Sequence, residues 1–160
     1  MKITVEIQRF FIFLVLLFYL NFFLVISIIV LEMIYMEKNK IEKFIQFVVD
    51  LVQEDDTFMN GGSAGYYFTH GGCYELFKVV NHYIPETVCM INKELDHCAI
   101  GYNNNIYDAL GIVENKDEFS IATKEDIEYM ERSFGLKIKS LESDNIINEV
   151  EECNIKGILY

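Results

Sequence analysis

The chain has 160 residues, a net charge of −12 at pH 7 and an apolar share of 52%. Because an acidic protein repels phosphate backbones and anionic lipid headgroups, this charge argues against nucleic acid as a partner. The length suffices for one domain with a core of its own, which needs no support from disulfides between the four cysteines.

The first 35 residues are dominated by one apolar stretch. Residues 10–31 are interrupted only by Asn21 and Ser27, and a run of this length can cross a bilayer as one helix. The stretch is longer than the usual core of a signal peptide, and no small-residue cleavage site follows it. We therefore expect residues 1–35 to be a single-pass membrane anchor and residues 36–160 to be the folded domain.

A start at Met36 is the alternative. Met36-Glu37-Lys38 resembles the beginning of a soluble protein, in which case residues 1–35 are an upstream extension and the protein is cytoplasmic. If the anchor exists, the lysines that follow the apolar stretch favour a cytoplasmic location for the folded domain.

Two helices are predicted on either side of a glycine-rich loop. Residues 37–53 have the apolar spacing of an amphipathic helix, and residues 57–72 contain five glycines, which is typical of a loop. Helical spacing returns at Cys73 and ends before Pro85. Cys73 thus begins a helix, where unpaired amides and the helix dipole favour a thiolate.

Three short strands are predicted after this helix, over residues 87–91, 97–102 and 106–108. Alternation in the second strand places His97 on the same face as two small residues, Ala99 and Gly101, which leave room for a helix to lie against that face.

The loop between the second and third strands decides where Asp108 points. A loop of even length pairs Gly101 with Ile106 and brings Asp108 to the face of His97. A shift by one residue would turn Asp108 to the opposite face.

The remaining sequence predicts smaller elements. A strand is expected at residues 119–122, and Thr123 with Asp126 is expected to cap a helix that ends before Gly135. An edge strand at residues 136–141 and a final helix capped by Ser143 complete an α+β fold, in which helices pack on a three- to five-stranded antiparallel sheet.

Cys73, His97 and Asp108 are the residues that could carry chemistry. A thiol nucleophile needs an imidazole to take its proton and a carboxylate to orient the imidazole. His70 and His82 are rival bases, but the first lies in the glycine-rich loop and the second on the polar side of its helix.

These residues also carry a resemblance. A glycine-preceded cysteine at a helix start (Gly72-Cys73-Tyr74-Glu75-Leu76), a strand that begins with histidine (His97-Cys98-Ala99-Ile100) and a strand that ends in Tyr107-Asp108 resemble the core of the papain-like and transglutaminase-like superfamily. The resemblance covers roughly residues 57–111. It implies a helix packed on an antiparallel sheet, with Cys73 as nucleophile, His97 as base and Asp108 as the orienting acid. The activities it implies are cleavage or transfer at peptide and other amide bonds.

The sequence departs from that superfamily in three respects. The spacing from Cys73 to His97 is short, no tryptophan follows the cysteine, and no glutamine is placed clearly as the oxyanion donor, since Gln53 lies before the loop. We then expect the oxyanion to be bound by the backbone amide of Cys73. Gly72 and the side chain of Asn60 or Thr69 are the other expected donors.

Two other readings stay open. One is a catalytically inactive, membrane-tethered interaction module of the same fold. The other is a metal-binding regulatory domain with a zinc site built from Cys73, Cys89, His97 and Cys98, although their spacing matches no standard zinc pattern. We expect no metal and no cofactor, a peptide or amide-bearing substrate, and Cys89, Cys98 and Cys153 as buried thiols that act as small hydrophobes. The sequence leaves the substrate and the oligomeric state undetermined.

Overall fold

The structure, a computed structural model, describes residues 2–54, 62–133, 141–153, 155 and 158. It has an α+β fold with one antiparallel sheet and an apolar N-terminal helix. The helices are α1 (Lys2–Glu54), α2 (Ala64–Thr69), α3 (Cys73–Tyr83), α4 (Lys124–Ser133) and α5 (Ser143–Glu152). The strands are β1 (Val88–Asn92), β2 (Cys98–Tyr102), β3 (Asn105–Asp108), β4 (Gly111–Ile112) and β5 (Phe119–Ile121), with a 3₁₀ turn over Lys116–Glu118.

The chain divides into two compact units, Met1–Asn39 and Lys40–Tyr160. In the first unit, the segment Leu16–Met33 has a mean hydropathy of 2.3 and no buried residue. By length and composition it could cross a membrane, and a signal sequence near an N-terminus would have the same properties. The apolar stretch and the predicted helix over residues 37–53 are parts of one helix, α1, and not separate elements.

The core of the second unit is built on the C-terminal part of α1. Ile41, Phe44, Val48 and Val52 recur at intervals of three and four, and all four are fully buried. This spacing lines one side of a helix, so their side chains form a continuous apolar stripe, as the sequence predicts. The stripe belongs to the same cluster as apolar side chains of α3, β2 and α5. These are Leu76, Val79, Val80, Ile100, Ile146 and Val150.

The sheet has the strand order β4-β3-β2-β1-β5, and every neighbouring pair is antiparallel. Strands β2 and β3 are joined by a two-residue turn in which Asn103 and Asn104 have φ of 46° and 61°. Asparagine tolerates this left-handed region better than most residues, and such a turn matches the twist of a hairpin. Gly101 pairs with Ile106, which confirms the register expected from an even-length loop.

The helix packs on the face of β2 opposite to the one expected. Ile100 lies in the core with the side chains of α3, whereas a Cβ at Gly101 would meet Val88 Cγ2 at 2.7 Å and Met90 Cγ at 3.0 Å. The space beside Gly101 is therefore filled by the neighbouring strand. His97 instead precedes β2 and lies at its end, where α3 begins.

The helices after the sheet follow the sequence with small differences. Thr123 and Asp126 form the expected capping box, in which each backbone N–H donates to the side chain of the other residue, at 2.8 and 3.2 Å. Ser143 is the first residue of α5 and not its cap; its N–H donates to Glu75 Oε2 at 2.7 Å. Strand β4 was not predicted. The expected edge strand at 136–141 falls mainly outside the described residues.

The left-handed turn residues give a direct test of the hairpin. Asn104 is exposed, so a substitution there changes backbone strain and few contacts. Asn104→Val should lower the free energy of unfolding by about 1–2 kcal/mol, because a β-branched residue is strained at positive φ. Asn104→Gly is the matched control and should preserve or raise stability. Equal stability of the two variants in urea denaturation would contradict the turn geometry.

Candidate active site

The imidazole of His97 lies beside the carboxylate of Asp108. The distance from Nε2 to Oδ2 is 3.4 Å, and about four fifths of each side chain is shielded from solvent. The other carboxylate oxygen, Oδ1, accepts the N–H of Leu110 at 2.8 Å. Because the hydrogen bond from Leu110 fixes the carboxylate, Asp108 can hold the ring of His97 in one orientation.

The backbone of His97 is held by Asn92. Asn92 Oδ1 accepts the N–H of His97 at 3.0 Å and the N–H of Asp96 at 3.1 Å, and its Nδ2 donates to Asp96 Oδ1 at 2.6 Å. Phe119 packs edge-on against the His97 ring, with the centroids 6.0 Å apart. The sequence analysis missed Asn92, although an asparagine before a polar turn is a recognisable signal. The carboxylate of Asp96 is bonded to Asn92, whereas that of Asp108 lies beside the ring of His97.

The thiol of Cys73 meets the first residue of β2. Cys73 is the first residue of α3 and 3% exposed. The N–H of Cys98 donates to Cys73 Sγ at 3.4 Å. A sulfur that accepts a backbone N–H at the start of a helix is in an environment that favours the thiolate.

The pKa of Cys73 is lowered from 9.0 to about 5. The largest contribution is a hydrogen bond from the thiol of Cys98, and burial opposes it; His97 and the N–H of Cys98 add to the lowering. The thiol of Cys98 has a raised pKa because it bonds to Cys73 and Cys89. Cys98 therefore keeps its proton and donates it to the sulfur of Cys73.

The pKa of His97 is raised from 6.5 to about 9. Burial acts against this rise, and the interactions with Asp108 and Cys73 outweigh it. Nε2 faces Asp108, so Nδ1 is the ring nitrogen left for Cys73. Nδ1 is buried and has no hydrogen-bond partner of ordinary geometry among the described residues. The charge of Cys73 therefore acts on His97 over more than a hydrogen-bond distance. At neutral pH the pair is a thiolate and an imidazolium.

Gly72 is needed for space. A Cβ on this residue would lie 2.1 Å from the ring of Tyr67, and real Cβ atoms do not approach so closely. The N–H of Gly72 donates to the carbonyl of Tyr67 at 2.9 Å, so the amide is engaged and is not free to bind an oxyanion. The residue that precedes Cys73 thus sets the path of the chain into α3.

The other expected oxyanion donors are also engaged or lie elsewhere. Thr69 Oγ1 makes hydrogen bonds to the carbonyls of Gly65 and Tyr66, at 2.9 and 3.1 Å. Asn60 lies outside the described residues. Gln53 accepts the N–H of Ala64 at 2.8 Å and donates to the carbonyl of Gly62. Of the expected donors, the amide of Cys73 is the one the described contacts leave for that role.

Neither of the two rival histidines is placed to act as the base for Cys73. His70 stacks on Tyr66, with the centroids 4.0 Å apart, and its Nδ1 contacts Thr69 Oγ1 at 2.9 Å. His82 is exposed. Within the described part of the chain, no group of three or more His, Cys, Asp or Glu side chains could hold a metal ion, which leaves the zinc reading without a ligand set there.

A comparison with protein families identifies the family of this chain. The family model described as Phage YunG-like protein matches residues 44–151, which is more than half of the chain. The chain belongs to this family. The matched segment includes Cys73, His97 and Asp108 and begins after the apolar stretch. No curated protein and no solved structure matched the chain.

The contribution of Cys98 to the Cys73 thiolate can be measured. In the wild type, the ultraviolet absorbance of the thiolate should titrate near pH 5, since the pKa of Cys73 is lowered to about 5. Cys98→Ala should raise that pKa by about 1, the scale of a hydrogen bond to a charged group. Cys98→Ser retains a donor and should stay closer to the wild type. An unchanged midpoint in Cys98→Ala would contradict the assignment.

The space requirement at Gly72 gives a second test. Gly72→Ala should lower the free energy of unfolding by about 1–3 kcal/mol, because the methyl group must displace the ring of Tyr67. It should also slow the alkylation of Cys73. Gly65→Ala is the control: its Cβ would meet only ordinary contacts, at 3.7 Å and beyond. Denaturation curves that place Gly72→Ala level with Gly65→Ala would refute the steric argument.

Proposed function

We propose that this protein is a cysteine-dependent hydrolase or acyl transferase that acts on an amide or peptide bond. The observation that carries the proposal is the pairing of His97 with Asp108 at 3.4 Å, together with the mutual stabilisation of a Cys73 thiolate and a His97 imidazolium at neutral pH. The α+β fold and the helix that begins at the cysteine also support the papain-like and transglutaminase-like resemblance as part of this proposal.

The charge state of the pair fixes the order of events. The Cys73 thiolate attacks the carbonyl carbon of the substrate and forms a tetrahedral adduct. The His97 imidazolium then protonates the amine as the C–N bond breaks, which leaves a thioester on Cys73. Neutral His97 next takes a proton from water or from an acceptor amine as it attacks the thioester. Collapse of the second adduct releases the product and the Cys73 thiolate.

Asp108 and the start of α3 assist these steps. Asp108 stabilises the imidazolium and keeps one ring nitrogen directed at Cys73. The adduct carries a negative oxygen, for which the amide of Cys73 at the helix N-terminus is the proposed donor.

We further propose that the segment Leu16–Met33 anchors the protein in a membrane as a single span. Its length, its hydropathy of 2.3 and the full exposure of the segment support this assignment. The lysines at positions 38, 40 and 43 favour a cytoplasmic location for the folded unit.

One observation favours a second function, that of an inactive interaction module. Cys73 is only 3% exposed, and a thiol so deep in the protein is accessible to few substrates. The two functions differ in whether the sulfur can be acylated, so covalent trapping distinguishes them.

The trapping experiment uses the full chain and an activated acyl ester, p-nitrophenyl acetate. Intact-protein mass spectrometry should find one acetyl group, and peptide mapping should place it on Cys73. The rate should rise through pH 5, where the thiolate forms. Turnover of a peptide anilide should add an alkaline limb near pH 9, because His97 must be protonated to release the amine.

Variants of the three residues measure how much each side chain contributes to the rate. His97→Gln should slow anilide turnover by on the order of 10²–10⁴-fold. Asp108→Asn should slow it by about 10-fold or more. Asn at position 108 retains an oxygen for the Leu110 N–H and removes only the charge. Cys153→Ala is the control, since Cys153 lies at the end of α5. Acetylation that persists in Cys73→Ala would overturn the proposal and leave the interaction module.

A further inference from the structure

A second thiol lies against Cys73 that the proposed mechanism does not consume. Cys98 is 1% exposed, its N–H donates to Cys73 Sγ at 3.4 Å, and the two side chains belong to one buried cluster. Neither cysteine is in a disulfide. The first residue of a helix and the first residue of a central strand thus hold two thiols in contact.

We propose that Cys73 and Cys98 are a redox modification site, in which a hydroperoxide oxidises Cys73 and Cys98 closes a reversible disulfide onto it. The proposal rests on the proposed function only in requiring Cys73 to be a reactive thiolate. Closure would remove the nucleophile from use and protect it from further oxidation.

The proposed oxidation of the two cysteines takes place in two steps. The Cys73 thiolate attacks one oxygen of hydrogen peroxide, the O–O bond breaks, and the leaving oxygen takes the proton of His97 to become water. This produces a sulfenic acid and a neutral imidazole. The sulfur of Cys98 then attacks the sulfur of Cys73; an S–S bond forms, the S–O bond breaks, and the hydroxyl leaves with the Cys98 proton as a second water. Overall, two thiols are oxidised and one peroxide is reduced.

The burial of the pair selects the oxidant and the partner. With 3% and 1% exposure, Cys73 and Cys98 are shielded from bulky oxidants, so the oxidant we propose is a small one, a hydroperoxide. Cys89 is also buried in the same cluster, but the hydrogen bond to Cys73 Sγ comes from the backbone of Cys98. Strand pairing sets Cys89 opposite Ile100 and Cys98 opposite Ile91. Cys98, whose N–H donates to Cys73 Sγ, is therefore the thiol we propose as the partner of Cys73.

The test treats the reduced full chain with hydrogen peroxide, blocks remaining thiols with iodoacetamide and maps tryptic peptides. Lys78, Lys93 and Lys116 place Cys73, Cys89 and Cys98 on separate peptides. The expected result is a cross-link between the peptides of Cys73 and Cys98, with the loss of two hydrogens and full recovery by dithiothreitol. A cross-link between Cys89 and Cys98, or no cross-link, would overturn the proposal.

Two variants show what the second thiol does. In Cys98→Ala and Cys98→Ser, peroxide should convert Cys73 to sulfinic and sulfonic acids that dithiothreitol does not recover. Cys98→Ser retains a hydrogen-bond donor beside Cys73, so its result does not depend on a change of thiolate population. Cys153→Ala should behave as the wild type. Recovery of Cys73 in the Cys98 variants equal to that of the wild type would contradict a protective disulfide.

The outcome separates this proposal from the proposed function. If iodoacetamide labels Cys73 rapidly before peroxide treatment and no cross-link follows, the reactive thiolate stands and the disulfide is refuted. If Cys73 is labelled no faster than Cys89, the thiolate itself is absent and both proposals fail.

Discussion

A buried pair of opposite charges is the interaction on which the rest of the site depends. Removing a thiolate or an imidazolium from water is unfavourable, so each needs compensation from its neighbours. Cys73 has two donors from Cys98, one from the backbone and one from the thiol. His97 has the carboxylate of Asp108 on its other side. Because each group also stabilises the charge of the other, removal of one changes the protonation of its partner.

Short-range features of the chain bring these groups to one place. Gly72 lets the backbone pass against Tyr67 at the start of α3. Asn92 holds the backbone of His97 before β2 begins. The turn at 103–104 sets the register that returns Asp108 to the same side. Each of these features sets the path of the backbone over a few residues. Together they position three side chains, which come from a helix, a turn and the end of a strand.

The sequence was sufficient for the features that depend on local spacing. It predicted the start of α3 at Cys73, the apolar stripe of α1 and the hairpin register, since periodicity and turn chemistry are properties of neighbouring residues. It failed for the face of β2 on which α3 packs, because that face depends on side chains of β1 that fill the space beside Gly101. It also treated Cys98 as an inert core residue. Cys98 and Cys73 are 25 positions apart in the sequence, and a local sequence pattern does not predict a contact between residues so far apart.

The protonation of His97 is the quantity that tests the account most directly. It can be followed by NMR of the imidazole in the wild type and in Cys73→Ala, with His70 and His82 in the same spectra as internal references. The account predicts a pKa of about 9 in the wild type and a lower value in Cys73→Ala, since the thiolate is lost and only Asp108 remains. A pKa near 6.5 that does not respond to the removal of Cys73 would contradict the charge pair and the chemistry built on it.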